Sequence, residues 1–258
     1  MSEQVLADLA AEQEDLDTIV AGLDERGWAT PTPAEPWDVK DQIGHLAFFE
    51  EQQTLAITDP DAFVMEVNRR LELGSSAFMD EHLRRGREMA PVEVLAWWRD
   101  ARASTLAAFA GVDPDARLAW FGPPMRVATA IQARLMETWA HGQDVADGLG
   151  LAREPTNRLF EIAELGVKTY SWSFLNRGME VPAQRVRVAL RGPSGTTRVW
   201  NDEASASVTG PVEEFCLVVV QRRHVLDTGL VVEGEEALRW MEIAQAYGGP
   251  PGSGRASA

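Results

Sequence analysis

The chain has 258 residues, a formal net charge of −16 and 45% hydrophobic residues. That length accommodates two domains, and the apolar content supports packed cores over global disorder. The acidic excess excludes binding to a nucleic-acid backbone by clustered Lys and Arg, and it disfavours attachment to an anionic membrane.

Val5, Leu6, Leu9, Leu16, Ile19, Val20 and Leu23 recur at helical spacing with acids between them, predicting a first helix from Val5 to about Leu23. Gly27 and the proline-rich stretch ATPTPAEPW end it. Asp38 is a suitable N-cap for a second helix through VKDQIGHLAFFEEQQTLAIT. Asp59-Pro60 ends or restarts this helix, and a third helical segment is expected over 61–86. Pro91 opens the helix PVEVLAWWRDARASTLAAFAG, which closes at Gly111. The stretch DPDARLAWFGPP reads as a loop. It leads into a helix carrying RLMETWAHGQDVADGLG, stopped by Gly148 and Gly150, and a further helix is expected over 155–177.

Beyond Pro182 the period shortens. RVRVALRG alternates charged and apolar residues, as a half-exposed strand does, and the turn Gly192-Pro193-Ser194-Gly195 leads to a second strand, TTRVW. SASVTG is a third strand and TGLVVEG a fourth. PVEEFCLVVVQRR reads as a buried helix opened by a proline, although LVVV alone would also suit a strand, and EEALRWMEIAQAY reads as a closing amphipathic helix. The single cysteine, Cys216, lies in the apolar run EEFCLVVV; it excludes an internal disulfide and reads as a buried, inert thiol in a reducing compartment. The N-terminus lacks the segments of a signal peptide, and no apolar stretch approaches the ~20 residues of a membrane span, so a cytoplasmic location is expected. The layout is an all-α domain of residues 1–180, a small α+β domain of 181–247 and a disordered tail of 248–258.

One helix carries polar residues where an apolar seam is expected. Arg134, Glu137, His141 and Asp144 follow at steps of three, four and three, which places them on one stripe flanked by Leu135, Met136, Trp139, Ala140 and Val145. Glu137 and His141 reach a common point, and carboxylate oxygen with imidazole nitrogen suits a divalent metal, zinc above all. The same spacing also serves a simple helix-stabilising pair. A ligand set needs a third arm, and the chain has three other histidines. His82, in MDEHLRRGRE, sits among charges and is expected in solvent. His224 follows the PVEEFCLVVV helix, where a cation meets the helix dipole. His45, in DQIGHLAFFEE, lies midway along an apolar helix, as a hydrogen-bonded core histidine or as the third ligand. Two histidines and a glutamate on two bundle helices would leave one coordination position open, as in a catalytic zinc site.

WDVKDQIGHL at 37–46 together with ETWAHGQD at 137–144 resembles the DinB-like (YfiT-like) superfamily of metal-binding four-helix bundles, and more closely its actinobacterial branch containing mycothiol-dependent maleylpyruvate isomerase. SASVTGPVEEF at 205–215 and QRRH at 221–224 look like the sterol-carrier-protein-like domain that often accompanies this bundle. The resemblance implies an N-terminal four-helix bundle with a small C-terminal α+β domain. It also implies a divalent metal, usually zinc, on His45, Glu137 and His141. Asp144 and Asp41 are candidates to accept the free N–H of a ligand histidine. Arg134 is a candidate to orient Glu137 or bind an anionic substrate, with an ordinary ion pair the alternative for all three.

An open metal position binds either water for hydrolysis or a thiol held as thiolate. The resemblance points to the thiol, with mycothiol as cosubstrate. The implied activity is isomerisation or S-transfer on a small electrophile. A metal-dependent hydrolase on the same triad and a non-catalytic, metal-stapled binding protein are the alternatives. Arg222 and Arg223, at the end of the PVEEFCLVVVQRR helix, are candidates to anchor a substrate carboxylate or, more simply, to cap that helix.

Overall fold

The computed structural model describes residues 2–73 and 75–257. The chain divides into two compact units, Met1–Arg153 and Glu154–Ala258.

The first unit runs through α1 (Ser2–Val20), a short α2 (Glu25–Trp28), α3 (Val39–Thr58), α4 (Pro60–Leu73), α5 (Ser75–Glu88), α6 (Pro91–Gly111) and α7 (Val127–Leu149). α3 packs on α6, α5, α4 and α7, and α1 packs on α7 and α6. The bundle is therefore α1, α3, α6 and α7, with α4 and α5 laid against α3. Ile43, Leu46 and Ala47 of α3 meet Leu16 and Val20 of α1, Val94 and Trp98 of α6 and Val145 of α7, all fully buried. Asp38 caps α3 as expected, its carboxylate accepting from the Asp41 N–H at 2.8 Å. Gly150 ends α7 at φ +67°, the left-handed conformation that favours glycine. The segment expected as one helix over 61–86 is described as two, α4 and α5, and the chain where they meet, GSS, consists of weaker helix formers. Within the expected loop, β1 (Arg117–Leu118) and β2 (Met125–Arg126) form a small antiparallel hairpin. Strands of two residues are too short to show a period.

The second unit holds α8 (Leu159–Lys168), α9 (Tyr170–Leu175), β3 (Arg187–Arg191), β4 (Thr197–Trp200), β5 (Ser207–Pro211), α10 (Val212–Val219), β6 (Val231–Glu233) and α11 (Glu235–Ile243). The strand order is β4-β3-β5-β6, with β3 and β5 parallel and the other pairs antiparallel. Val188 and Leu190 of β3 alternate into the core, with Val188 opposite Val208. The four strands and two later helices stand where the hydrophobic pattern places them. The helix expected over 155–177 breaks at Thr169, whose hydroxyl donates back to the Leu165 and Gly166 carbonyls.

The boundary between the units differs from the expected one near residue 180. α8 packs on α10 and α9 packs on α11, burying Phe160, Ile162 and Phe174 within the second unit. Gly192 permits this packing, since a Cβ there would lie 2.6 Å from the Phe160 ring. The tail expected to be disordered is hydrogen-bonded to the residues that follow α9 and to Asp227. Asn176 donates to the Gly249 carbonyl at 3.0 Å, Arg177 to the Gly252 carbonyl at 2.9 Å, and Ser257 to Asp227 at 3.0 Å. No helix among the described residues is long and apolar enough to cross a membrane.

Candidate metal centre

α3 and α7 pack together and bring three of the sequence-selected residues to one point. His45, Glu137 and His141 each offer one ligand atom, and these atoms lie within 4.8 Å of one another. Glu137 Oε2 is 3.2 Å from His141 Nε2 and 4.0 Å from His45 Nε2. Ligands on a tetrahedral ion with bonds of about 2.0–2.1 Å stand about 3.3 Å apart, so a small adjustment of His45 closes the set. The side chains are 12% (His45), 26% (Glu137) and 10% (His141) exposed, so the cluster is recessed and opens on the Glu137 side.

A hydrogen-bond relay orients His141. Its Nδ1 lies 2.6 Å from Gln42 Oε1, Gln42 Nε2 donates to Thr32 Oγ1 at 2.8 Å, and Thr32 Oγ1 donates to the Trp37 carbonyl at 2.8 Å. A carbonyl only accepts, so every donor in the chain is determined from that end. The Thr32 hydroxyl gives its proton to Trp37 O, Gln42 must donate its amide to Thr32, and Gln42 Oε1 must accept from His141 Nδ1–H. The His141 Nε2 lone pair is then turned toward Glu137, the orientation a metal ligand requires. Gln42 was legible only as the residue one turn before His45 on the same helix face.

His82 corrects a sequence expectation. It is not in solvent: it is 1% exposed, with Nε2 3.1 Å from His45 Nδ1. Trp37 also borders the site, its ring stacked on His141 at 5.9 Å and tilted against His45 at 4.9 Å. Phe49 also packs against His45, ring centroids 4.7 Å apart.

The remaining candidates stand elsewhere. Both His141 nitrogens face other groups, Gln42 and Glu137, so fully buried Asp144 does not hold that ring. Asp41 does not hold His45; it takes a bidentate pair from Arg87 at 2.9 and 2.8 Å. Arg134 does not orient Glu137. Its guanidinium is 3% exposed and pairs with Glu50 of α3 at 3.2 Å, a buried bond between the two ligand-bearing helices. In the second unit, Arg222 donates to the Val220 carbonyl and Arg223 to the Arg222 carbonyl, each at 2.7 Å, as helix-capping arginines do. His224 does not serve the α10 terminus as a cation; its Nδ1 accepts from the Leu226 N–H at 3.2 Å and opens a short 3-10 turn, Val225–Asp227.

The electrostatics suit a ligand set. Burial, and next the neighbouring His141, push the His45 imidazole well below its ordinary range, so it is neutral near pH 7 and able to ligate. Burial works against ionisation of Glu137, but the two adjoining imidazoles, His141 and then His45, outweigh it and hold the carboxyl well below the usual range. Burial drives the Cys216 thiol well above its ordinary range, and its Sγ donates to the Leu159 carbonyl, so it offers no competing nucleophile.

The fold and this cluster define a helical bundle with a recessed two-histidine, one-carboxylate set, followed by a small α+β unit. Residues 9–146 match the family model of the mycothiol maleylpyruvate isomerase N-terminal domain, and the chain belongs to that family. It is 44% identical over 251 residues to the uncharacterized proteins MT0041 and Rv0036c from two strains of Mycobacterium tuberculosis, with 97% of each chain covered. The crystal structure of the mycothiol-dependent maleylpyruvate isomerase is similar in fold, with a TM-score of 0.58 at 14% identity over 92% of this chain and 96% of that one. A histidine-to-alanine mutant of the isomerase gives 0.59 at 14% identity, over 86% and 90%.

Proposed function

We propose that this protein is a metal-dependent, thiol-using isomerase or S-transferase acting on a small electrophile, with zinc as the ion and mycothiol as the thiol. The observation that carries this reading is the convergence of His45, Glu137 and His141 within 4.8 Å, with the His141 lone pair turned into the cluster. Two imidazole nitrogens and one carboxylate oxygen are the donor set of an open zinc site, and the residues fit that ion. A divalent ion held there supplies Lewis acidity that stabilises the ionised, nucleophilic form of a thiol near neutral pH.

The chain's own residues do the rest. Gln42 and its relay fix His141, while Trp37 and Phe49 wall the histidines and limit water. Glu137, the most exposed of the three, marks the side from which thiol and substrate approach. The thiolate sulfur bonds to an electrophilic alkene carbon as the π electrons shift toward a conjugated carbonyl. Rotation about the resulting single bond and return of the electrons expels the thiolate, giving isomerisation. Protonation of the adduct instead completes S-transfer.

The deciding experiment is elemental analysis of protein purified without added metal, followed by calorimetric titration with mycothiol in two buffers of different ionisation enthalpy. About one metal per chain and release of about one proton on thiol binding are expected. Less than a few tenths of an equivalent of metal rejects the centre. Metal without thiol binding, with activity lacking any thiol requirement, moves the assignment to a hydrolase.

A further inference from the structure

The two histidines of the centre meet the same requirement in different ways. For each to ligate through Nε2, its Nδ1 must carry the proton and needs an acceptor. On His141 that acceptor is Gln42 Oε1. On His45, Nδ1 lies 3.1 Å from His82 Nε2, and one proton occupies the gap. If His45 carries it, the His45 Nε2 lone pair faces Glu137 and His141. If His82 Nε2 carries it, the His45 proton sits on Nε2, whose nearest carboxylate oxygen, Glu137 Oε2, is 4.0 Å away. That is beyond hydrogen-bond reach, and the set loses a donor atom.

His82 is built into its place. It is 1% exposed, with the rings of Phe48 at 5.5 Å and of Trp37 and Phe49 at 5.9 Å. Its helix, α5, crosses α3 closely beside His45. One turn after His82, a Cβ built on Gly86 would lie only 3.5 Å from the Gly44 Cα. The approach of these two backbones brings an imidazole on α5 against an imidazole on α3.

We propose that His82 is a positioning residue of the metal centre: its Nε2 accepts the His45 Nδ1–H and so holds the His45 Nε2 lone pair toward Glu137 and His141. This rests on the metal-centre reading above. It makes α5 a third helix of the site and gives His45 the partner that Gln42 is to His141.

The test uses the full chain. His82→Phe keeps a ring in the aromatic surroundings but offers no acceptor; His82→Gln restores a carbonyl oxygen. Metal-free protein is titrated with zinc against a competing chelator and with cobalt by its visible bands. His82→Phe is expected to weaken metal binding tenfold or more and shift the cobalt bands, His82→Gln to recover most of the affinity, and far-ultraviolet circular dichroism to stay unchanged. Wild-type affinity and unshifted bands in His82→Phe overturn the proposal. Should that variant not fold, long-range proton–nitrogen NMR of the unsubstituted, metal-free protein decides. His45 as the Nδ1–H tautomer supports the proposal, and the Nε2–H tautomer overturns it. Failure of the unsubstituted protein to bind either metal rejects the centre itself, whereas full affinity in His82→Phe rejects only the role of His82.

Discussion

The two units of the chain are filled differently. In the bundle, Glu12, Asp17, Asp41, Glu50, Arg70, His82, Arg134, His141 and Asp144 are all buried. In the second unit, the buried polar residues among those described are Ser173, Ser207 and Gln245, and the core is Val188, Leu190, Phe215, Trp240 and their apolar neighbours. Burying charge is costly unless each group is paired, so a charged interior is kept where it has a use. Five of these nine, Asp41, Glu50, Arg134, His141 and Asp144, lie on α3 and α7, the helices carrying His45, Glu137 and His141. The difference locates chemistry in the first unit and assigns the second unit's stability to ordinary apolar packing.

The largest effect should come from the ligands themselves. His45→Ala, Glu137→Ala and His141→Ala are each expected to take bound metal from about one equivalent to near zero, with helical content by circular dichroism nearly intact. The apolar faces of the bundle, not the ion, supply most of its folding energy. Full metal retention in His45→Ala would return that residue to the core.

The Arg134–Glu50 pair tests the buried charge directly. Arg134→Leu leaves Glu50 in the core without its cation and is expected to cost ~3–5 kcal/mol by urea unfolding. Adding Glu50→Met should restore most of that loss, because the stranded charge is gone. A single-variant loss below about 1 kcal/mol would show that Glu50 is solvated rather than dependent on Arg134.

In the second unit, Leu190→Ala opens a cavity beneath the sheet and should cost ~2–5 kcal/mol while leaving metal content unchanged. Loss of metal in this variant would break the contrast between a functional bundle and an apolar companion.

The smallest expected effect lies on the bundle's outside. Hydrogen bonds from Arg69, with Arg70 beside it, hold the Glu66 carboxyl at about 2. A depressed folded-state value means the contribution is complete above the ordinary value near 4.5 and fades as pH falls toward 2. Glu66→Gln should cost about 0.2–1 kcal/mol at neutral pH, and its thermal midpoint should converge with that of the wild type in acid.

Helix and strand periods were legible because they are local. Apolar residues at steps of three and four place α1, α3, α6 and α7, and alternation places β3 through β5, without reference to the rest of the chain. The stripe of Glu137 and His141 is legible for the same reason, since side chains four apart on one helix must share a face. What local pattern cannot report is the neighbour that each face meets. His82 sits among charged residues in MDEHLRRGRE and reads as solvated, yet the close crossing of α5 and α3 at Gly44 and Gly86 buries it against His45. Arg134 shares a stripe with Glu137 but spends its charge on Glu50, 84 residues away in sequence. Gln42 is an ordinary helical glutamine until α7 brings the His141 Nδ1 to 2.6 Å from its oxygen. Periodicity is a property of one element, so the long helices, the strands β3 to β6 and the metal-ligand candidates were readable from sequence alone, whereas the β1–β2 hairpin, the division into α4 and α5 and the break at Thr169 were not. Hydrogen-bond and ion-pair partners depend on which elements touch, so only the tertiary structure decided what holds those ligands in place.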